Sequence, residues 1–73
     1  MPEIKIVTEV AGRVCGVPAG VGANVSDGDD IVLVEAMKME IPVPSTGKGK
    51  VREILVSIDD VVAEGQIVAI LDA

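Results

Sequence analysis

A chain of 73 residues can bury one small core, and with no aromatic residue that core must be aliphatic. A net charge of −6, without a basic patch or an aromatic platform, argues against nucleic acid and against an anionic membrane surface as partners. The absence of histidine removes the usual general base and the commonest metal ligand, and a single cysteine, Cys15, rules out an internal disulfide.

Taken in order, the chain reads as short apolar runs broken by turn chemistry. Met1-Pro2-Glu3-Ile4-Lys5 has neither the basic start nor the apolar run of a secretory leader, so a soluble, cytoplasmic chain is expected. Ile4 to Val7 and the region around Val14 are strand-like, with Cys15 expected as a buried, inert thiol. Pro18-Ala19-Gly20-Val21-Gly22 breaks the pattern, Asp27-Gly28 turns, and Ile31 to Glu35 is the next strand. Ile41 to Val43 follows, then a loop at Pro44-Ser45-Thr46-Gly47 and a strand from Val51 to Ile58. Asp59-Asp60 and Glu64-Gly65 turn, and Ile67 to Leu71 is the last strand. Valine and isoleucine dominate these runs, and such residues fit a pleated surface. No stretch keeps a helical period. The expectation is an all-β domain, a small sandwich or flattened barrel of about eight strands.

The two halves are copies. Val25-Ser26-Asp27-Gly28 returns 37 positions later as Val62-Ala63-Glu64-Gly65, and Gly12-Arg13-Val14 returns as Gly49-Lys50-Val51. Ile4 matches Ile41, Ile31 and Leu33 match Val68 and Ile70, and Glu35-Ala36 matches Asp72-Ala73. The chain is therefore one domain, 1–73, of two quasi-repeats, about 1–36 and 38–73. A two-fold relation between them would place the termini together, at the edge of the domain away from Lys38.

Glu35-Ala36-Met37-Lys38-Met39-Glu40 lies at the junction of the copies. Only Ala36, Met37 and Lys38 separate two strands, so the simplest link is a hairpin with Met37-Lys38 at its centre. Such turns favour Asn-Gly because φ is positive there. A turn without either residue implies strain, which is a pointer to function. The bland reading of Lys38 is a solvated charge, and Met37 and Met39 could face solvent or pack inward. Glu35 and Glu40 read as solvated rather than catalytic.

Glu35-Ala36-Met37-Lys38-Met39 resembles the biotin-attachment signature of biotinyl domains, the biotin carboxyl carrier proteins of biotin-dependent carboxylases. The likeness covers the whole chain, with Gly28, Gly65 and Gly49 at the family's structural turns. It implies a flattened barrel of two four-stranded antiparallel sheets with quasi-two-fold symmetry. It implies covalent biotin on Lys38, added by a biotin protein ligase that supplies biotinyl-adenylate. A lysine amine is mostly protonated at neutral pH, so activation is expected from the ligase. Glu35, Ala36, Met37, Met39 and Glu40 would then serve recognition by the ligase and other partners. The loaded arm would serve biotin carboxylase and carboxyltransferase components, on a carrier that is not itself an enzyme and is monomeric in isolation.

Two departures stand out. Asp59 takes the place that Gly22 holds in the first copy, and Asp tolerates a left-handed backbone. The spacing from Val14 to Val25, repeated from Val51 to Val62, leaves no room for the thumb of some acetyl-CoA carboxylase carriers, which favours thumbless carriers such as those of propionyl-CoA-type or pyruvate-type carboxylases, transcarboxylases and stand-alone biotin-attachment proteins. The alternatives are a lipoyl carrier of an oxidative decarboxylase complex and an unmodified interaction module. Lipoyl domains typically carry an acidic residue before the lysine and alanine after it, so Met37 and Met39 favour biotin. Asp27-Gly28-Asp29-Asp30 lacks the ligand spacing of a calcium loop, and no metal site is expected. Gly20-Val21-Gly22 is no phosphate loop, since no helix follows it.

Overall fold

A computed structural model describes residues 2–73. Among them all regular structure is strand: β1 (Glu3–Val7), β2 (Gly12–Gly16), β3 (Asn24–Val25), β4 (Asp30–Ala36), β5 (Met39–Pro44), β6 (Gly49–Ile54), β7 (Val61–Val62) and β8 (Ile67–Asp72). They form two four-stranded antiparallel sheets, ordered β1-β8-β6-β3 and β5-β4-β2-β7. This is the flattened, doubled barrel that the sequence implies. A shift of 37 residues carries each strand of one sheet onto a strand of the other, in the same order.

The copies are interlocked rather than side by side. Each sheet takes two strands from each copy, so neither half of the chain has a sheet of its own. The pairing that closes the first sheet runs from Glu3 to Asp72. Turn chemistry is local and cannot specify such contacts, and forming them late makes folding of this topology slow.

The core follows the same symmetry. Among the described residues fourteen buried hydrophobic ones form seven pairs 37 positions apart: Ile6 with Val43, Val14 with Val51, Ala19 with Val56, Val25 with Val62, Ile31 with Val68, Val32 with Ala69, and Val34 with Leu71. Size differs within pairs: Ile6 has a smaller counterpart in Val43, and Val34 a larger one in Leu71. Each Val, Leu or Ile fully buried contributes about 1.5–3 kcal/mol. Adjacent residues Ile31 and Val32 are both fully buried because the register between β4 and β5 shifts there, as it shifts between β1 and β8 beside Val68 and Ala69.

Two buried hydroxyls close matching corners. Thr8 Oγ1 donates to the Val10 carbonyl at 2.7 Å and accepts from the Val10 amide at 3.2 Å. Ser45 Oγ does the same with Gly47, at 2.5 and 3.3 Å. The Gly65 amide donates to the Thr8 carbonyl at 2.7 Å, and the Gly28 amide to the Ser45 carbonyl at 2.9 Å. These bonds tie each corner to the turn that leads into the strand paired with it, β8 beside β1 and β4 beside β5.

Three expectations need correction. The strand expected from Val51 to Ile58 ends at Ile54. Leu55 makes a last bond to the Val68 carbonyl at 2.9 Å, then Val56 turns under the barrel end to be buried, as Ala19 does in the first copy. Gly49 is not at a turn but opens β6. A Cβ there would lie 2.6 Å from the Asp72 carbonyl oxygen, so glycine is required by close backbone approach. Cys15 is half-buried rather than buried, because it occupies the register shift in β2.

Candidate functional site

The link between the copies is a two-residue hairpin turn. Ala36 and Met39 form the last cross-strand pair of β4 and β5, and Met37 and Lys38 lie between them. Their φ angles are 51° and 65°, the left-handed conformation at both central positions that matches the twist of the flanking strands. Holding two such residues that are neither Gly nor Asn costs about 1–2 kcal/mol each. Met37 is 95% exposed and Met39 64%, which settles their orientation toward solvent. Lys38 is exposed between them.

The base of the hairpin is held from one side. Gly12 on β2 lies against Glu35 so closely that a methyl group in its place would overlap the Glu35 carbonyl. This is the same contact that Gly49 makes with Asp72 at the other end. One nitrogen of the Arg13 guanidinium donates to Glu35 Oε1 at 3.1 Å and the other to Asp59 Oδ1 at 2.5 Å. Glu35, through its hydrogen bond and charge, and then Asp59 raise the Arg13 pKa above the ordinary arginine value. Asp59 has φ of 78°, where its first-copy counterpart Gly22 has 92°. The exposed pair Arg13 and Glu35 contributes little to stability by itself, but it fixes β4 against β2 three residues before Lys38.

The termini occupy the equivalent place on the other sheet. The Ala73 amide donates to the Pro2 carbonyl at 3.0 Å, and these two residues are the 37-residue counterparts of Ala36 and Met39. Met1 lies outside the described residues. β5 carries the chain roughly 17 Å from the hairpin before Gly49 comes alongside Asp72.

Among the described residues the ion pairs involve only Arg13 and Arg52, so no carboxylate holds Lys38 Nζ. Nor does any group of His, Cys, Asp or Glu among them suit a metal ion. A primary amine that is exposed, unpaired and borne on a rigid turn fits covalent attachment of an acyl group. The loop from β2 to β3 holds only residues 17–23, with no thumb inserted. The structure brings together Glu35, Ala36, Met37, Lys38, Met39 and Glu40, and leaves Gly28, Gly65 and Gly49 elsewhere as scaffold. Gly28 and Gly65 have φ of 92° and 85°. Arg13 and Gly12 belong to the site by contact. Their match to Lys50 and Gly49 is visible in the sequence, but their position beside Glu35 is not.

Comparison with known proteins agrees with this geometry. The family described as "Biotin-requiring enzyme" matches residues 1–71. The biotinylated protein TB7.3 homolog of Mycobacterium leprae is 38% identical over 63 residues, covering 86% of this chain and 89% of that one. The biotin/lipoyl attachment protein of Bacillus subtilis is 32% identical over 64 residues, covering 88% of each chain. Among solved structures, the urea carboxylase of Kluyveromyces lactis superposes with a TM-score of 0.94 at 36% identity, covering 99% of this chain and 6% of that one.

Proposed function

The chain belongs to the biotin-requiring, biotin/lipoyl attachment family, and from that premise we propose that Lys38 is its attachment residue and that it serves a biotin-dependent carboxylase acting on an acyl-CoA or pyruvate. The observation that carries this reading is the hairpin. Among the described residues it is the one link that joins two consecutive strands paired with each other, and the two residues held there in a left-handed backbone are Met37 and a lysine in no ion pair, Lys38.

Each residue of the hairpin has a part. Lys38 Nζ, as the free amine, attacks the acyl carbon of the biotinyl-adenylate that the ligase supplies; the amide C–N bond forms as the acyl C–O bond to phosphate breaks, AMP leaves with that electron pair, and the nitrogen gives up a proton. Met37 and Met39 offer soft, adaptable apolar contact on either side of that amine to the biotin protein ligase. Ala36 and Glu35 hold the turn on β4, itself fixed by Arg13 and Gly12. Biotin so held supplies a ureido ring that carries a carboxyl group. The chain supplies reach and a raised effective concentration between biotin carboxylase and carboxyltransferase sites, and no catalytic group of its own. The absence of a thumb supports an acyl-CoA or pyruvate acceptor.

Incubation with a biotin ligase, ATP and biotin, followed by intact-mass measurement, tests the reading. One biotinyl group is expected on the native chain. Lipoylation by a lipoyl ligase instead would support the oxidative-decarboxylase reading. A folded chain that takes neither group would make it an unmodified module. A panel of acyl-CoA, pyruvate and urea acceptors, with bicarbonate and the partner carboxylase, reads the substrate class.

A further inference from the structure

We propose that Glu40 is the carboxylate by which the biotin ligase discriminates this chain, meeting a lysine or arginine of the ligase while Lys38 is loaded. The proposal rests on the biotin-carrier reading and adds the residue that sets specificity.

The observation is a broken symmetry. At the terminal end, Arg52 sits in the register shift of β6, and its guanidinium spans two carboxylates, Asp72 at 3.1 Å and Glu3. Shifted by 37 positions, the same three places hold Cys15, Glu35 and Glu40. Cys15 occupies the matching register shift in β2, but its Sγ lies 3.5 Å from the Leu33 carbonyl and brings no charge. Glu35 is compensated by Arg13, whose other nitrogen is taken by Asp59. Among the described residues no cation reaches Glu40, although it stands directly across from Glu35.

Like charges directly opposite on neighbouring strands are unfavourable. The terminal end relieves that repulsion with an arginine. The hairpin end does not, and Glu40 lies exposed on β5, an edge strand, two residues after Lys38. The free charge thus faces the approach of anything that works on the lysine amine. The ligase must form a bond at Nζ itself, so it covers the hairpin and both strands at its base. A carboxylase site meets the ring at the end of a long arm and has no need to reach β5. A cationic side chain on the ligase would supply what Cys15 withholds, and a partner of positive charge suits a chain of net charge −6.

Steady-state loading kinetics with purified ligase, at low salt and at ~0.5 M salt, decide the matter. Loading of the native chain checks the carrier reading first; if none occurs, that reading and this proposal fall together. With the native chain loaded, Glu40→Gln is expected to raise KM about 5- to 20-fold at low salt, to leave kcat within about twofold, and to lose most of its effect at high salt. Glu40→Asp should recover part of the loss. Cys15→Arg installs the missing cation and should raise KM similarly with Glu40 intact. An unchanged KM for Glu40→Gln overturns the proposal alone, and that exposed variant decides by itself should Cys15→Arg fail to fold.

Discussion

The two ends of this barrel are built to one plan and used differently. At one end Ala36 and Met39 are joined by the turn Met37-Lys38; at the other their counterparts Ala73 and Pro2 are held together by a hydrogen bond. Both ends have a glycine pressed against a carbonyl, Gly12 on Glu35 and Gly49 on Asp72. Each end has an arginine bridging two carboxylates, but the two are not counterparts: Arg52 spans the cross-strand pair Glu3 and Asp72, whereas Arg13 holds Glu35 and Asp59 and leaves Glu40 free among the described residues. The scaffold is therefore common to both ends. What is particular to the hairpin is the connection: two strained, exposed residues that the fold does not need for its core. A duplicated fold lets function be read by subtraction.

The largest effects should come from the shared contacts, and should be equal at both ends. Gly12→Val and Gly49→Val each force a side chain into backbone and are expected to cost about 3 kcal/mol. Urea unfolding of both variants checks this; a large loss at one end only would break the equivalence. Next come Gly28→Val and Gly65→Val. Open space surrounds both glycines, so the cost is backbone strain alone, about 1–2 kcal/mol, and should match between them. Unchanged melting temperatures in both would refute the role assigned to φ.

Met37→Asn should act in the opposite direction. Asparagine accepts the left-handed turn better than methionine, so the unfolding midpoint should rise by an amount equivalent to roughly 0.5–1 kcal/mol. Loading of Lys38 should slow in the same variant. No counterpart of this trade exists at the terminal end.

The smallest effect is electrostatic. The hydrogen bond from Arg52, and then its charge, hold the Glu3 carboxyl below its ordinary value of 4.5. The folded chain then binds fewer protons than the unfolded one just below that value. The contribution is present above the ordinary value and is lost as pH falls through the lowered one. Melting temperatures from about pH 6 to about pH 3 should fall more steeply for the native chain than for Arg52→Gln. Parallel curves would remove Glu3 from the account.

Much of this was legible in the sequence, for physical reasons that differ by residue. Val14 and Val51, or Ile31 and Val68, declare themselves because a repeat preserves burial. Met37-Lys38 declares itself because two strands leave only three residues between them. Strand order was not legible. Glu3 with Asp72, and Gly12 with Val62, are pairings made at long range, and no local residue choice encodes them. The end of β6 was missed because Val56 is apolar and continues the strand pattern while the backbone leaves the sheet. Arg13 was missed as part of the site because its partners Glu35 and Asp59 come from different copies.

The most direct test of the difference between the ends is to load the chain with biotin and locate the label by peptide mapping. Lys5, Lys48 and Lys50 lie in or beside the sheet that carries the termini, and Lys38 on the hairpin. All of the biotin should be on the peptide containing Lys38, and the Lys38→Arg chain, still folded, should take none. Biotin on Lys5, Lys48 or Lys50, or undiminished labelling of Lys38→Arg, would contradict the assignment.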